Sequence, residues 1–265
     1  MPHWRLGTIG FGYDDWAGVF YPDGLKSADY LSFYARHFDT VELDTTFHAA
    51  PTPDRVAKWA AATPDDFRFC VKTPKEITHA DGRLSAPGRV DAMLRFVDAV
   101  GGFGSKLGVV LLQFPPSFDT GAAGDLRTFL SALPTGPRFA VELRHPSWQV
   151  DATADLLREF HCAWVAADYL DREPWEVQAT ADFYYIRWVG RHGVYPTLDR
   201  ERIDATERLA WWKQRVERTA GVKTIWGLVN NDYTGYAVAT CDRMKRLVGQ
   251  DVKPLESPGQ GQLFK

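Results

Sequence analysis

Apolar residues in this chain follow two alternating patterns, short continuous runs and longer stretches with a helical spacing. Eight of the short runs have the length of a strand and are rich in β-branched or aromatic residues, which favours buried strands. Each run ends in polar or aromatic residues, and in chain order they read RLGTIGFGY, TVELDTTF, RFCVKTP, LGVVLLQFP, RFAVELRHPSW, AWVAADY, DFYYIRWVG and TIWGLVNND.

Helical patterns lie between these strands. The first begins behind the candidate caps Ser27 and Asp29 and has apolar residues three, four and seven positions after Leu31. The predicted helices read SADYLSFYARHF, DRVAKWAAAT, GRVDAMLRFVDAVGGFG, DLRTFLSAL, DATADLLREF, ERIDATERLAWWKQRVERTAG and AVATCDRMKRLVG. The sixth connection, LDREPWEVQATA, is long enough for only a turn or two of helix, and residues 78–88 read as a polar loop.

Strands that alternate with helices predict a parallel sheet, because parallel strands need crossover connections. Eight such units predict the α/β class and a (β/α)8 TIM-type barrel in a single domain. An open doubly wound sheet is the alternative, but its usual Gly-rich first turn is missing from GFGYDDW. Because such barrels carry their sites at the C-terminal ends of the strands, the polar run ends indicate where a site lies.

The composition fits this fold and excludes some functions. The 265 residues are 45% hydrophobic and 25% charged, which suits one barrel over residues 1–249 and a flexible Pro/Gly/Ser-rich tail over 250–265. A net charge of -3 provides no global basic field for nucleic acid or membranes, so anion binding must be local. No apolar run reaches the roughly 20 residues that span a bilayer, and no signal peptide is visible, which predicts a cytoplasmic protein. Three distant cysteines suggest packing residues rather than a disulfide framework.

Alternation of side chains along each strand predicts which polar residues meet at the barrel mouth. Glu42 and Asp44 share a face, as do Glu142 and Arg144. Buried ions need partners, so Lys72 is expected to pair with Glu42 or Asp44. Structural ion pairs are the alternative reading for any one of these residues. The expected mouth residues are Glu42, Asp44, Lys72, Gln113, Glu142, Arg144, Asp168, Arg187 and Asn230.

Several loops after the strands add candidate chemistry. His145 and His79 are the candidate groups for proton transfer near neutral pH. The last two loops, RWVGRHGVYP and NNDYTGYA, have suitable residues for phosphate in Arg187, Arg191 and Asn231, with ordinary turns as an equal alternative. Aromatic residues that could stack on sugars or bases include Trp16, Phe47, Trp148 and Tyr169.

No metal site is predicted. Glu142, Asp168, His145 and Glu42 could supply ligands, but HxH and HExxH spacings are missing from the sequence. The motifs identify no cofactor.

Motifs in order along residues 5–249 resemble the YecE-like family, domain of unknown function 72. They include GVFYP, YARHF, TVE, FCVK, LQFPP, ELRHPSW and NN. The resemblance implies a (β/α)8-type barrel and implies no established activity. The chain differs from the usual family pattern at Asp44 and His48, where Asn and Tyr are common, and at the first turn.

Two functions remain as hypotheses. The first is an enzyme of hydrolase or lyase type acting on an anionic, phosphorylated or sugar-containing substrate, such as a nucleotide or nucleic acid. Lys72, Arg144 and Arg187 would hold the anion, Glu142 or Asp168 would be the general base, and His145 or His79 the acid. The other residues expected to bind substrate are Arg191, Glu42, Asp44, Gln113, Trp148, Asn230, Asn231 and Trp16.

The second hypothesis is a DNA-associated adaptor without catalysis. Gln260, Leu263 and Phe264 resemble the short Gln-x-x-Leu-Phe peptides that dock into bacterial sliding clamps. A flexible tail that ends in apolar residues suits a groove on a partner. An ordinary frayed terminus is the alternative, and a tethered enzyme would combine both functions.

Overall fold

The computed structural model describes residues 2–175 and 177–255, which contain nine strands in one sheet. All paired strands are parallel, in the order β6-β5-β4-β3-β2-β1-β9-β8-β7. The strands are β1 (His3–Ile9), β2 (Thr40–Leu43), β3 (Arg68–Lys72), β4 (Leu107–Gln113), β5 (Arg138–Glu142), β6 (Ala163–Trp164), β7 (Ala166–Asp168), β8 (Phe183–Trp188) and β9 (Thr224–Val229).

The two end strands of this order are halves of the sixth predicted strand. β6 pairs with β5 and β7 pairs with β8, and Val165 alone separates them. The Val165 amide donates to the Val141 carbonyl at 3.0 Å, so the chain stays attached to β5 through the break. The sheet therefore curls into a nearly closed barrel with eight strand positions. The predicted (β/α)8 architecture is confirmed, and the open doubly wound sheet is wrong.

Helices surround the barrel as the sequence predicts, with two additional single turns. The helices are α1 (Tyr30–His37), α2 (Pro53–Ala61), α3 (Lys75–Thr78), α4 (Pro87–Gly101), α5 (Ala123–Ser131), α6 (Asp151–Glu159), α7 (Thr206–Glu217), α8 (Asn231–Thr234) and α9 (Ala237–Leu247). The short α3 and α8 were not predicted, and the described part of the sixth connection forms no helix. The predicted caps of α1 are wrong, because Ser27–Asp29 forms a short 3-10 turn without side-chain capping bonds.

Apolar side chains occupy two layers. The smaller cluster consists of alternate strand residues and fills the barrel interior, with Leu111, Val165, Tyr185 and Trp226 among its members. The larger cluster lies between the sheet and the helices. All three cysteines are buried and free, and burial raises the pKa of the Cys70 thiol to about 12, as suits a packing residue. Among the described residues, no helix is long and apolar enough to cross a bilayer.

The C-terminal tail begins against the N-terminal end of the barrel, where the Gln250 amide donates to the Trp4 carbonyl at 2.8 Å. Gln260, Leu263 and Phe264 lie outside the described residues. The sliding-clamp hypothesis therefore stays a prediction from sequence.

A buried tyrosine hydroxyl joins the first two strands. The Tyr34 hydroxyl, on α1, accepts from the Thr8 amide at 2.8 Å and donates to the Thr40 carbonyl at 3.0 Å. Gly7 makes this approach possible, because a Cβ there would lie 2.0 Å from the Thr40 carbonyl oxygen. The seam between β1 and β2 therefore needs a residue without a side chain.

Gly7→Ala is expected to destabilise the protein by about 2 kcal/mol or more, because the backbone of β1 or β2 must move. Urea unfolding measures the change. Gly124→Ala is the matched control: its Cβ meets nothing within 4 Å on exposed α5, so a gain of up to about 1 kcal/mol is expected from helix propensity. Equal stability of Gly7→Ala and the wild type would contradict the close packing at this seam.

Candidate functional site

Buried ions from three strands meet across the C-terminal mouth of the barrel. Arg187, on β8, donates from Nε and Nη2 to the two oxygens of Glu42 on β2, at 3.0 and 2.7 Å. Its Nη1 donates to Oε2 of Glu142 at the end of β5, at 2.6 Å. Glu42 is 0%, Glu142 1% and Arg187 4% exposed. One guanidinium therefore ties two carboxylates together away from water.

Two further donors complete this cluster. Arg144 Nε donates to Glu142 Oε1 at 2.6 Å, and the Tyr185 hydroxyl donates to Glu42 Oε2 at 2.9 Å. Every oxygen of the two carboxylates thus accepts a hydrogen bond. We call Glu42, Glu142, Arg144 and Arg187 the mouth cluster. Two negative and two positive charges balance within it, which offsets part of the cost of burial.

The mouth cluster fixes the ionisation of Glu142. Burial alone would raise the pKa of this carboxyl, but Arg144 and Arg187 lower it to about 2. A carboxylate with so low a pKa and with both oxygens bonded is a poor proton acceptor at neutral pH. The geometry therefore favours an anchoring role for Glu142 over the general base that the sequence suggested.

Lys72 lies beside this cluster at the end of β3 and is half-buried. Its Nζ is 3.8 Å from the centroid of the Phe47 ring, a cation–π contact. No hydrogen bond or ion pair to Nζ is present in the described part of the chain. The expected pair with Glu42 is wrong, because Arg187 and Tyr185 occupy the Glu42 oxygens.

Burial lowers the pKa of Lys72 to about 8, and the positive charge of Arg187 adds to this effect. Glu42 and Glu142 act in the opposite direction but are already paired with arginines. At neutral pH a measurable share of Lys72 is therefore the neutral amine.

Asp44 and His79 flank Lys72. Asp44 follows the last residue of β2, whose partner strand β3 ends at Lys72. Burial and the charge of Glu42 raise the pKa of the Asp44 carboxyl, and the charge of Lys72 acts in the opposite direction. The His79 ring meets the Phe47 ring edge-on at 5.0 Å. Burial and Lys72 lower the pKa of His79, so its imidazole is neutral at neutral pH.

The hydrogen bonds of His79 assign its tautomer. Gln113 Nε2 is 3.3 Å from Nε2 of His79, and an amide nitrogen can only donate, so Nε2 accepts. The proton therefore lies on Nδ1, 2.8 Å from the Thr78 hydroxyl oxygen. Gln113 is held by its own bond to the Phe114 carbonyl at 2.7 Å.

A cleft of about 210 Å³ opens beside Arg144, between the end of β5, the end of β7 and the sixth connection. The Arg144 side chain is 30% exposed, and its two Nη groups have no partner among the described residues. Arg172 stacks on the Tyr169 ring at 4.2 Å. The lining residues include Arg144, Gln149, Tyr169, Arg172, Glu173 and Trp175.

Asp168 is not in the mouth, which corrects the expected placement. Val165, Ala167 and Tyr169 belong to or pack on the inner cluster, so Asp168 alternates to the outer face of the sheet. There it accepts from Arg208 at 2.8 Å and from the Tyr233 hydroxyl at 2.7 Å. Its contacts hold α7 and α8 to the barrel.

Two tryptophans expected at the mouth are core residues instead. Trp16 is fully buried among aromatic rings, and its indole donates to Asn231 Oδ1 at 3.2 Å. Trp148 is buried as well and donates to the Phe118 carbonyl at 2.7 Å. Neither ring face is open to a ligand, so their expected role in binding is wrong.

In the loops after β8 and β9, residues that the sequence offered for phosphate binding make local contacts instead. The Asn230 side chain caps α8 by accepting from the Asp232 amide at 2.7 Å, and Asn231 accepts from the Ala237 amide at 2.9 Å. Arg191 is exposed and pairs with Asp171 at 2.6 Å. Because the Asn230, Asn231 and Arg191 side chains bond to other parts of the protein, Lys72 and Arg144 are the better candidates for binding an anion.

His145 follows Arg144 but bonds locally. The His145 Nδ1 accepts from the Ser147 amide at 3.2 Å and thereby caps the short turn Pro146–Trp148. The same nitrogen lies 2.8 Å from the Ser147 hydroxyl. A catalytic role for His145 stays a prediction. In the described ranges, no three His, Cys, Asp or Glu side chains gather in a way that would hold a metal ion.

Sequence reasoning did not include Tyr185 or Arg172 among the site residues, and it named Phe47 and Tyr169 only as aromatic residues that could stack on a ligand. Tyr185 shares the inward face of β8 with Arg187, so strand alternation was the signal that could have found it. Arg172 lies in a loop, where no periodic signal exists.

The sequence model described as "Protein of unknown function DUF72" matches residues 5–262. The chain belongs to the DUF72 family. It is 34% identical over 146 residues to UPF0759 protein YecE of Escherichia coli K12, covering 54% of this chain and 53% of that protein. It is 33% identical over 117 residues to UPF0759 protein YunF of Bacillus subtilis, covering 43% and 40%. These alignments span about half the length of the curated relatives or less.

Solved DUF72 structures share the fold. A Thermotoga maritima DUF72 protein has a TM-score of 0.73 at 27% identity, covering 94% of this chain and 100% of its own. An Enterococcus faecalis DUF72 protein has a TM-score of 0.74 at 21% identity, covering 95% and 99%, which shows the fold alone. The DUF72 barrel is thus established for this chain, and its chemistry must be argued from the site.

Glu142→Gln is expected to flatten the acid limb of the stability curve. The folded pKa of Glu142 lies below its ordinary 4.5, so its stabilisation is present above that value and is lost as pH falls towards about 2. Over this pH window the free energy of unfolding of the wild type should fall by roughly 3 kcal/mol. The variant lacks this contribution at every pH, so its free energy of unfolding should not show this fall. Urea unfolding at a series of pH values measures it.

Glu207→Gln, which removes an exposed carboxylate on α7, is the matched control and should keep the wild-type pH dependence. If Glu142→Gln kept the wild-type acid limb as well, the mouth cluster would not be stabilising the ionised carboxyl.

Proposed function

We propose that this DUF72 protein is an enzyme of acid–base type that binds an anionic substrate at the C-terminal mouth of its barrel. The proposal rests on one observation. The carboxylate oxygens of the mouth cluster all accept hydrogen bonds within the protein, and two positively charged side chains beside them keep unused donors. Lys72 has no oxygen partner, and Arg144 has only its Nε bonded, within the described residues. Lys72 ends β3 and Arg144 follows β5, on either side of β4 in one mouth. Two such donors suit a phosphate or carboxylate group.

The rest of the ligand is proposed to lie in the cleft next to Arg144. Tyr169 and Trp175 line it, and Gln149 and Glu173 add polar groups. A small cleft with aromatic walls and a few polar groups suits a sugar or another ring. A phosphorylated or sugar-containing substrate fits this combination.

Proton transfer is proposed for Asp44 and His79 rather than for Glu142 and Asp168. The raised pKa of Asp44 makes its carboxylate a better base than one held by two arginines. Neutral His79 has its Nε2 lone pair directed to the Gln113 amide at 3.3 Å. This nitrogen can accept a substrate proton in place of that hydrogen bond and return the proton later in the reaction. Hydrolase or lyase chemistry needs such a pair of groups.

Lys72→Met and Arg144→Met are each expected to weaken binding of inorganic sulfate and phosphate by about tenfold or more, because charge-assisted hydrogen bonds contribute about 1.5–3 kcal/mol. Isothermal titration calorimetry measures the affinities. Lys223→Met and Arg138→Met are matched controls at the opposite end of the barrel, before β9 and at the start of β5. Unchanged affinity in both mouth variants would contradict the proposed site.

Sulfate affinity is expected to fall as pH rises through about 8, because Lys72 loses its proton there while sulfate keeps its charge. Lys72→Arg should remove this fall. The charged groups around Lys72 are Arg187, Glu42, Glu142, Arg144, Asp44 and His79. An affinity that falls equally in Lys72→Arg would assign the titration to another group.

A further inference from the structure

We propose that Lys72 forms a Schiff base with the carbonyl carbon of an anionic aldehyde or ketone. The inference rests on the proposed function and names its substrate class, a small carbonyl compound that carries phosphate or carboxylate. It assigns Lys72 a covalent role in addition to its charge.

The first argument is the position of the amine. Nζ lies on the face of Phe47 at 3.8 Å, at the C-terminal end of β3, where the barrel opens. The oxygens of Glu42 and Glu142 are all bonded to arginine or tyrosine donors. Lys72 is therefore not needed to neutralise them, and its nitrogen is free to meet a ligand.

The second argument is the electrostatic setting. Partial burial and the positive neighbours Arg187 and Arg144 disfavour the ammonium form of Lys72. Desolvation and a nearby cation are the two means by which lysine is activated as a nucleophile. A pKa of about 8 leaves roughly three-hundredfold more neutral amine at neutral pH than an ordinary lysine has.

The third argument is the supply of protons. The neutral amine attacks the carbonyl carbon, forming a C–N bond, and the carbonyl oxygen takes up one proton from solvent to become a hydroxyl. Asp44, one residue past the end of β2 and within electrostatic range of Lys72, accepts the proton released from nitrogen. It returns this proton to the hydroxyl, which leaves as water while the nitrogen lone pair forms the protonated imine. Water reverses the sequence, so no oxidant or reductant is consumed.

The fourth argument is orientation. Arg144 follows β5, two strands from Lys72, and its Nη groups have no partner among the described residues. Its charge is among those that act on Lys72. An anionic group bound there would bring the carbonyl end of a small substrate to Nζ. A substrate that lacks the anionic group would not be held by Arg144 with its carbonyl carbon near Lys72 Nζ.

Borohydride trapping tests the inference. The wild-type protein is mixed with dihydroxyacetone phosphate, reduced with sodium borohydride, digested, and analysed by peptide mass spectrometry. Lys72 should carry the reduced adduct at an occupancy at least about tenfold above exposed Lys26 and Lys223 in the same sample, given its larger share of neutral amine. This comparison within one molecule needs no variant to fold.

Two further arms separate the parts of the proposal. Dihydroxyacetone, which lacks the phosphate, should label Lys72 much less, and equal labelling would overturn the role of the anion. Lys72→Arg keeps a positive charge but has no amine that forms an imine, so it should lose the adduct.

The outcomes distinguish the two proposals. Labelling of Lys72 no greater than that of Lys26 and Lys223, with phosphate binding intact, would overturn the Schiff base and leave the proposed anion site standing. Loss of both labelling and phosphate binding in the wild type would overturn the proposed function as well.

Discussion

The bond pattern of one buried arginine governs the mouth of this barrel. Arg187 reaches from β8 to Glu42 on β2 and to Glu142 on β5, strands that are well separated around the sheet. Burial of each ion costs several kcal/mol, so the arrangement is stable only because every carboxylate oxygen is bonded. Removal of any member would leave an uncompensated charge in a low-dielectric interior.

This constraint decides which groups remain for a ligand. Since Glu42 and Glu142 are committed to Arg187, Arg144 and Tyr185, the carboxylates cannot also serve Lys72. The lysine is thereby left near positive charge, with a lowered pKa and an open nitrogen. The proposed anion site and the proposed imine chemistry both depend on these hydrogen bonds of Glu42 and Glu142. Asp44, one residue past the end of β2, adds an ionisable group within electrostatic range of the amine.

Much of the fold follows from the sequence, because the apolar periodicities reflect burial in each strand and helix. Alternation also brings Glu42, Glu142 and Arg187 together correctly. Alternation fails to place Asp168. The sixth predicted strand is a short apolar run that divides at Val165, so its sequence does not show which side chains face the barrel interior. Trp16 could not be placed, because whether an aromatic side chain in a loop packs inward depends on contacts distant in sequence. Hydrogen-bond partners, which decide ionisation, likewise depend on three-dimensional contacts.

The most direct test of the central claim is a crystal structure of the protein soaked with tungstate, whose anomalous signal locates the oxyanion. The account predicts tungstate at the mouth, within hydrogen-bond distance of Lys72 Nζ and Arg144 Nη, with the Arg187 bonds to both glutamates intact. A mouth without tungstate, in which Lys72 pairs directly with Asp44 or Glu42, would contradict it.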